Sequence, residues 1–225
     1  MNRATTGPTT AVKRTETVVL LHGLARTTNS MKRMEDALTH AGYRVVNIGY
    51  LSRQFPVEAL AEKVLGEIRN RIKKTDRVHF VTHSLGGIIV RYLHGHLSFD
   101  QIDRVVMLCP PNKGSEIVDH LGGLKLFEWL NGPAGLQLGT SPTGFISELG
   151  PVNFELGVIT GDRSINWLLS TLIPGKNDGK VSLESARISG MTDYKVVHAT
   201  HPYIMRKKEV IRDVLTFLET GRFSD

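Results

Sequence analysis

Val78-His79-Phe80-Val81-Thr82-His83-Ser84-Leu85-Gly86-Gly87-Ile88-Ile89-Val90 decides how this sequence folds. Val78 to Val81 is a β-branched and aromatic run of the kind that makes a buried strand. Leu85 to Leu93 reads as a helix directly behind it, and only Thr82, His83 and Ser84 are left to make the turn. A strand that feeds straight into a helix is the repeating unit of a parallel sheet.

Working outward from that unit, the same alternation recurs. Val18 to Leu21 is a short apolar run ending at His22-Gly23, and Ser30 to Ala41 carries Met31, Met34, Leu38 and Ala41 at helical spacing before Gly42. Arg44 to Ile48 reads as a second strand. Pro56 to Ile72 predicts a strong helix, with proline at its start and Leu60, Val64, Ile68 and Ile72 on one face. Val105 to Leu108, Leu156 to Thr160 and Lys195 to Ala199 predict three further strands, and Glu209 to Leu218 a closing helix. The fold class is therefore α/β, a mostly parallel central sheet with helices on both faces. The rhythm breaks between 121 and 150, where Gly and Pro are mixed with Leu124, Phe127, Trp129, Leu130 and Phe145. A small cap over a site and an irregular packed loop both fit that stretch. Residues 1–15 are expected to form a flexible arm and 16–225 a single domain.

Composition narrows the function classes. A chain of 225 residues, 40% hydrophobic and 22% charged, can bury roughly 70–75% of its unfolded surface without staples. Its one cysteine, Cys109, can form neither an internal disulfide nor a multi-cysteine zinc site, and reads as a buried inert thiol. No apolar run approaches the ~18–20 residues that span a bilayer, which argues against integral membrane association. The segment Met1 to Glu16 lacks the apolar core of a secretory signal, so a reducing, cytoplasmic location is expected. The net charge of +6 is spread over helices in which acids such as Glu62 and Glu67 are interleaved. With no basic tail and no aromatic residues placed to stack bases, nucleic acid is not an expected partner.

In a parallel sheet the reactive groups gather beyond the carboxyl ends of the strands. Ser84 stands at such an end, on a turn so sharp that small residues are needed two places before and after it. Gly86 and Gly87 meet that need; Thr82, β-branched, departs from it. A serine capping the helix is the alternative reading. An oxyanion formed beside Ser84 would need two backbone N–H donors, one from Leu85 and one from the loop after the first strand, for which Leu24 is the candidate. His22 and His83 read as structural, as do His40, His79, His94, His96 and His120, which lack metal-ligand spacing.

Taken together, these residues resemble the α/β-hydrolase superfamily, specifically its small bacterial lipase/esterase-like serine hydrolases. The resemblance runs from about Thr17 to Phe223. It includes Pro110-Pro111-Asn112-Lys113-Gly114-Ser115, Asn177-Asp178-Gly179-Lys180-Val181 and Thr200-His201-Pro202-Tyr203-Ile204-Met205. It implies the α/β-hydrolase fold, a triad in the order Ser, acid, His, and no metal or organic cofactor. Two acids compete. Asp162 directly follows the fifth strand, where it could pair with Arg163 or cap a turn, while Asp178 lies in a loop resembling the acid loop of lipase-like members and is preferred. Two bases compete as well: His198 falls inside the last strand, and His201, just past it, matches the position before the closing helix.

The resemblance thus implies catalytic Ser84, Asp178 and His201, with an oxyanion hole of Leu24 and Leu85; the apolar stretch, through Phe127, Trp129 and Leu130, could line an acyl pocket together with Trp167. The expected activity is a carboxylesterase on small-molecule esters of short to medium acyl chains. An acyltransferase or thioesterase could use the same triad, and a non-catalytic binding module or a lipase docking peripherally on membranes are the readings from other classes. The sequence does not specify an oligomeric state.

Overall fold

The second strand to leave the first one reverses the direction in which the sheet grows, and that reversal positions the site. The computed structural model describes residues 16–164, 173 and 175–224, apart from the Phe127 side chain. Six strands form one sheet: β1 (Thr17–Leu21), β2 (Arg44–Ile48), β3 (Val78–His83), β4 (Ile102–Leu108), β5 (Glu155–Gly161) and β6 (Asp193–Val197). Their order is β2-β1-β3-β4-β5-β6, and every neighbouring pair is parallel. From β1 the chain steps outward to β2, then crosses back to lay β3 on the other side. The crevice between the carboxyl ends of β1 and β3 is thus a topological switch point, where open parallel sheets bind ligands. His22-Gly23 and Ser84 both stand there.

Why these strands read as apolar runs is clear from the packing. Alternate residues of β1 enter separate cores: Val19 and Leu21 pack with α2 (Val57–Arg71) and α3 (Leu85–Leu97), while Val18 and Leu20 pack with α1 (Lys32–His40) and the closing helix, Lys208–Thr220. Both faces are covered, so β1 and β3 are buried throughout. The closing helix contributes Val210, Val214, Phe217 and Leu218 at helical spacing, each fully or almost fully buried. Burying one such side chain stabilises the fold by about 1.5–3 kcal/mol. Its one buried acid, Asp213, is satisfied by Lys195 Nζ at 3.0 Å and Ser224 Oγ at 2.6 Å.

The elements depart from the expected bounds in three instructive places. The first helix is preceded by a 3₁₀ turn over Thr28–Met31 and begins only at Lys32. The last strand stops at Val197, leaving His198 beyond it rather than inside it. The non-periodic stretch follows α4 (Glu116–Leu121) and itself contains α5 (Lys125–Leu136) and the single turn α6 (Phe145–Glu148). Gly132, at φ 67°, and Pro133 break α5, which hides its periodicity from a sequence reading. No helix among the described residues is long and apolar enough to cross a membrane. The expected N-terminal arm, 1–15, lies outside the described residues.

Candidate active site

At the end of β3 the chain turns into α3 through one residue. Ser84 has φ 51° and ψ −118°, a conformation that L-residues rarely adopt and that costs on the order of 1–3 kcal/mol. The surroundings impose it. Ser84 N–H donates to Leu108 O at 2.9 Å, and Gly87 N–H donates to Ser84 O at 3.0 Å. Gly86 packs directly on β1, where a Cβ would stand 2.7 Å from the Leu21 carbonyl oxygen. Thr82, the departure from small residues, is accommodated fully buried in β3 opposite Leu21 and Met107, its hydroxyl without a hydrogen-bond partner. The turn leaves the Ser84 side chain 8% exposed on the wall of a cavity of about 300 Å³.

The loop after β1 is fixed as firmly. Tyr50 N–H donates to His22 Nε2 at 3.3 Å, so that nitrogen accepts and Nδ1–H donates to Gly23 O at 2.9 Å. The Tyr50 hydroxyl donates to His22 O, and the two rings stack at 4.1 Å. Burial lowers the His22 pKa against the Gly23 carbonyl, which acts to raise it, so the ring stays neutral. Ala25 N–H donates to Ser52 Oγ and Arg26 N–H to Gly23 O. Between these anchors Leu24 lines the cavity. Leu85, the first residue of α3, has an N–H with no intrahelical acceptor.

His201 also lines the cavity, and its Nδ1 lies 2.7 Å from Asp178 Oδ2, both residues being buried. Asp178 Oδ1 accepts from Lys180 N–H and Val181 N–H at 2.9 Å each, and His201 N–H donates to Asp178 O. Burial by itself would raise the Asp178 pKa. The charge and hydrogen bond of His201, the thiol of Cys109 and the Val181 N–H outweigh it and hold the carboxyl below the usual range. His83 supports the base from behind: its Nε2 donates to His201 O at 2.9 Å, and the rings lie 4.9 Å apart. Its pKa falls well below the ordinary histidine value, first through burial and next through His201. Its Nδ1 is buried and unpartnered, and a Cβ on Gly23 would stand 2.6 Å from it. Only glycine fits between them.

Asp162 and Asp178 meet different histidines. Asp162 Oδ1 meets His198 Nδ1 at 3.0 Å in an exposed pair that does not line the cavity, so Asp162 engages His198 rather than Arg163. Leu130 lines the cavity; Trp129 does not and is 74% exposed. Trp167 and the Phe127 side chain lie outside the described residues. Three features had no sequence signal. Cys109, at φ 50°, shares a hydrogen bond with Asp178, and burial and then the Asp178 charge push its thiol pKa well up. Its Sγ, an Asp178 oxygen and a His201 nitrogen lie within 4.8 Å of one another, a spacing that could hold a metal ion. Each Asp178 oxygen is already engaged, however, so an ion would have to displace the backbone or the imidazole. Arg26 and Lys180 also line the cavity, the second on the turn in which Lys180 N–H donates to Asp178 Oδ1.

A parallel sheet with a strained serine at its switch point, faced by a buried His–Asp pair, is the architecture of an α/β-hydrolase. Within that class, part of the chain is similar to serine esterases. Residues 12–113, from before β1 to past β4, match the family described as "Putative serine esterase (DUF676)". That stretch holds Ser84 and Leu24 but neither Asp178 nor His201. No curated protein matches the chain significantly. Among solved structures, a Bacillus licheniformis lipase in its mature form is 18% identical, with a TM-score of 0.70 over 96% of this chain and 94% of that one. A thermophilic esterase from Thermogutta terrifontis is 14% identical, with a TM-score of 0.63 over 93% and 91%. A Legionella pneumophila phospholipase is 20% identical, with a TM-score of 0.61 over 77% of this chain and 46% of that one.

Proposed function

We propose that this chain is a serine carboxylesterase that cleaves short- to medium-chain acyl esters of small molecules through Ser84, His201 and Asp178. The observation that carries the reading is the buried 2.7 Å contact between His201 and Asp178 in the cavity that Ser84 lines. His201 Nε2 takes the proton of Ser84 as Oγ attacks the ester carbonyl, and Asp178 holds the Nδ1–H tautomer and stabilises the imidazolium. The N–H groups of Leu24 and Leu85 receive the oxyanion. When the C–O bond breaks, His201 gives its proton to the departing alkoxide. Water then adds to the acyl-enzyme, losing its proton to His201, and the acid leaves as Ser84 is reprotonated. Helices α4 and α5 act as a small cap whose Ile117, Val118, Leu121 and Leu130, with Leu138 just past α5, face the acyl chain. The 300 Å³ of space supports short to medium chains. A cytoplasmic location and a cofactor-free reaction go with this reading.

Initial rates on p-nitrophenyl acetate, butyrate, octanoate and palmitate, with wild type beside Ser84→Ala, test it. Turnover should fall roughly 10⁴-fold or more with the serine, as for a triad acting as a unit. Near-normal hydrolysis by Ser84→Ala would overturn the assignment, and an optimum at palmitate would overturn the chain length.

A further inference from the structure

The cavity beside Ser84 is charged on one side only. Arg26 and Lys180 line it, and no aspartate or glutamate does. Asp178 is 1% exposed, with both oxygens engaged, and so does not present its charge to the cavity. Elsewhere the fold pairs many of its cations, as in Arg77–Asp103, Arg104–Glu155, Lys113–Glu184 and Lys195–Asp213. Among the described residues neither Arg26 nor Lys180 has an ion-pair partner.

The two cations also feel each other. Desolvation of its ammonium lowers the Lys180 pKa, and the positive charge of Arg26 lowers it further, against a smaller opposite pull from Asp178. Holding like charges together in a cleft is unfavourable, and an anion placed between them relieves it. Their placement is not accidental to the chemistry. Arg26 ends the turn anchored by Gly23 O and Ser52 Oγ, and Lys180 belongs to the turn that carries Asp178, with its carbonyl bound by Ser115 Oγ at 2.9 Å. Both therefore move with the loops that would hold the oxyanion and the acid. The walls that α4 and α5 contribute are largely apolar.

From this division we infer that the substrate is an ester whose alcohol portion carries an anionic group, a carboxylate or a phosphate, held by Arg26 and Lys180 while the acyl chain lies against α4 and α5. The alcohol side follows from Lys180 neighbouring the turn that holds His201, the group that protonates the departing oxygen. The inference rests on the esterase reading above and narrows it to a substrate class.

Three butanoyl esters test it: 4-(butanoyloxy)benzoate, its neutral methyl ester, and 4-(butanoyloxy)phenyl phosphate. Each kcat/KM is divided by that ester's own rate with hydroxide, which removes differences in leaving-group reactivity. The wild type should favour at least one anionic ester over the neutral one by about tenfold, and the preferred anion identifies the headgroup. The advantage should shrink as salt rises from about 20 mM to about 500 mM. Arg26→Gln with Lys180→Gln should bring the anionic-to-neutral ratio close to one, and Lys180→Arg should retain it. A wild-type ratio of one or less, with Ser84-dependent cleavage of the neutral ester intact, overturns this inference and leaves the esterase reading standing. A wild-type preference that survives both high salt and the double substitution also overturns it. Absence of Ser84-dependent cleavage of all three esters overturns both.

Discussion

The strand-end frame around Ser84 and the helical segment 116–150 lie on opposite sides of the same cavity and are built by opposite means. The frame is buried, and its backbone is held at nearly every step: Ser84 to Leu108, Arg26 to Gly23, His201 to Asp178. The helical segment leaves Leu124, Leu126, Trp129 and Leu130 exposed, and its longest helix is broken at Gly132-Pro133. Groups that take part in bond making need fixed distances, and a surface that only shapes a pocket does not. The contrast predicts where substitutions will be felt.

The largest effect should separate two aspartates. Asp178→Asn leaves the shape of the acid turn but removes the charge that orients His201, and should lower kcat by roughly 10³–10⁴-fold. Asp162→Asn, in the exposed pair with His198, should change kcat less than about threefold, because such pairs contribute little. Steady-state rates on one p-nitrophenyl ester decide the matter. A greater loss at Asp162 would mean that the frame has been drawn around the wrong acid.

The next effect is on stability. Alanine at Gly86 gains about 1 kcal/mol of helix propensity, but its Cβ would meet the Leu21 carbonyl oxygen at 2.7 Å. Backbone cannot step aside as a flexible side chain can, and overpacking of this kind costs about 1–3 kcal/mol. Gly86→Ala should therefore unfold at lower urea than wild type. An unchanged midpoint would show that the frame is looser than its contacts indicate.

Much of this frame was legible in the sequence, and the reason is local. The strands are continuous apolar runs because both sheet faces are covered, and Ser84 is recognisable because a strand, a serine and two glycines meet a helix within ten residues. Asp178 and His201 were legible only through resemblance, since nothing in their spacing shows that residues 23 positions apart will touch. Cys109 was read as inert; its approach to Asp178 depends on a left-handed backbone at the end of β4, which no residue type there announces. Lys180 was read only as part of the acid loop, and nothing in its residue type announced that the turn would carry it to the cavity. The helices α4 and α5 were hidden for the converse reason. Their apolar residues are partly exposed, so no single buried face imposes a period on the sequence.

A smaller and more general effect should appear with pH. His83 and His22 are neutral in the folded protein with pKa values lowered mainly by burial. Unfolding releases them to ordinary values near about 6.5, so below that pH the unfolded chain takes up protons that the folded one refuses. Stability should be flat above that value and fall as the pH drops beneath it. Asp178 works in a separate, more acidic window: its lowered pKa gives stability that is lost as pH falls through its folded value. Urea midpoints at successive pH values will show the first decline. In His83→Asn it should shrink without vanishing, because His22 remains. An equal slope in both proteins would show that His83 does not resist protonation.

The smallest effect should come from the most conspicuous aromatic residue. Trp129 is large, apolar and 74% exposed, and it stands outside the cavity on a helix whose neighbours Leu126 and Leu124 are also exposed. Substitution at such a position removes little that folding has buried, so Trp129→Ser should shift stability by no more than about 0.5 kcal/mol. Hydrolysis of p-nitrophenyl butyrate should stay within about twofold of wild type, whereas Leu130→Ser, one residue on and lining the cavity, should raise KM. Read together, the two substitutions ask whether α5 presents distinct faces to substrate and to solvent. If Trp129→Ser raised KM for this soluble ester as much as Leu130→Ser did, the segment would have to close further over Ser84 than it does here, and the contrast between a fixed frame and an open cap would fail.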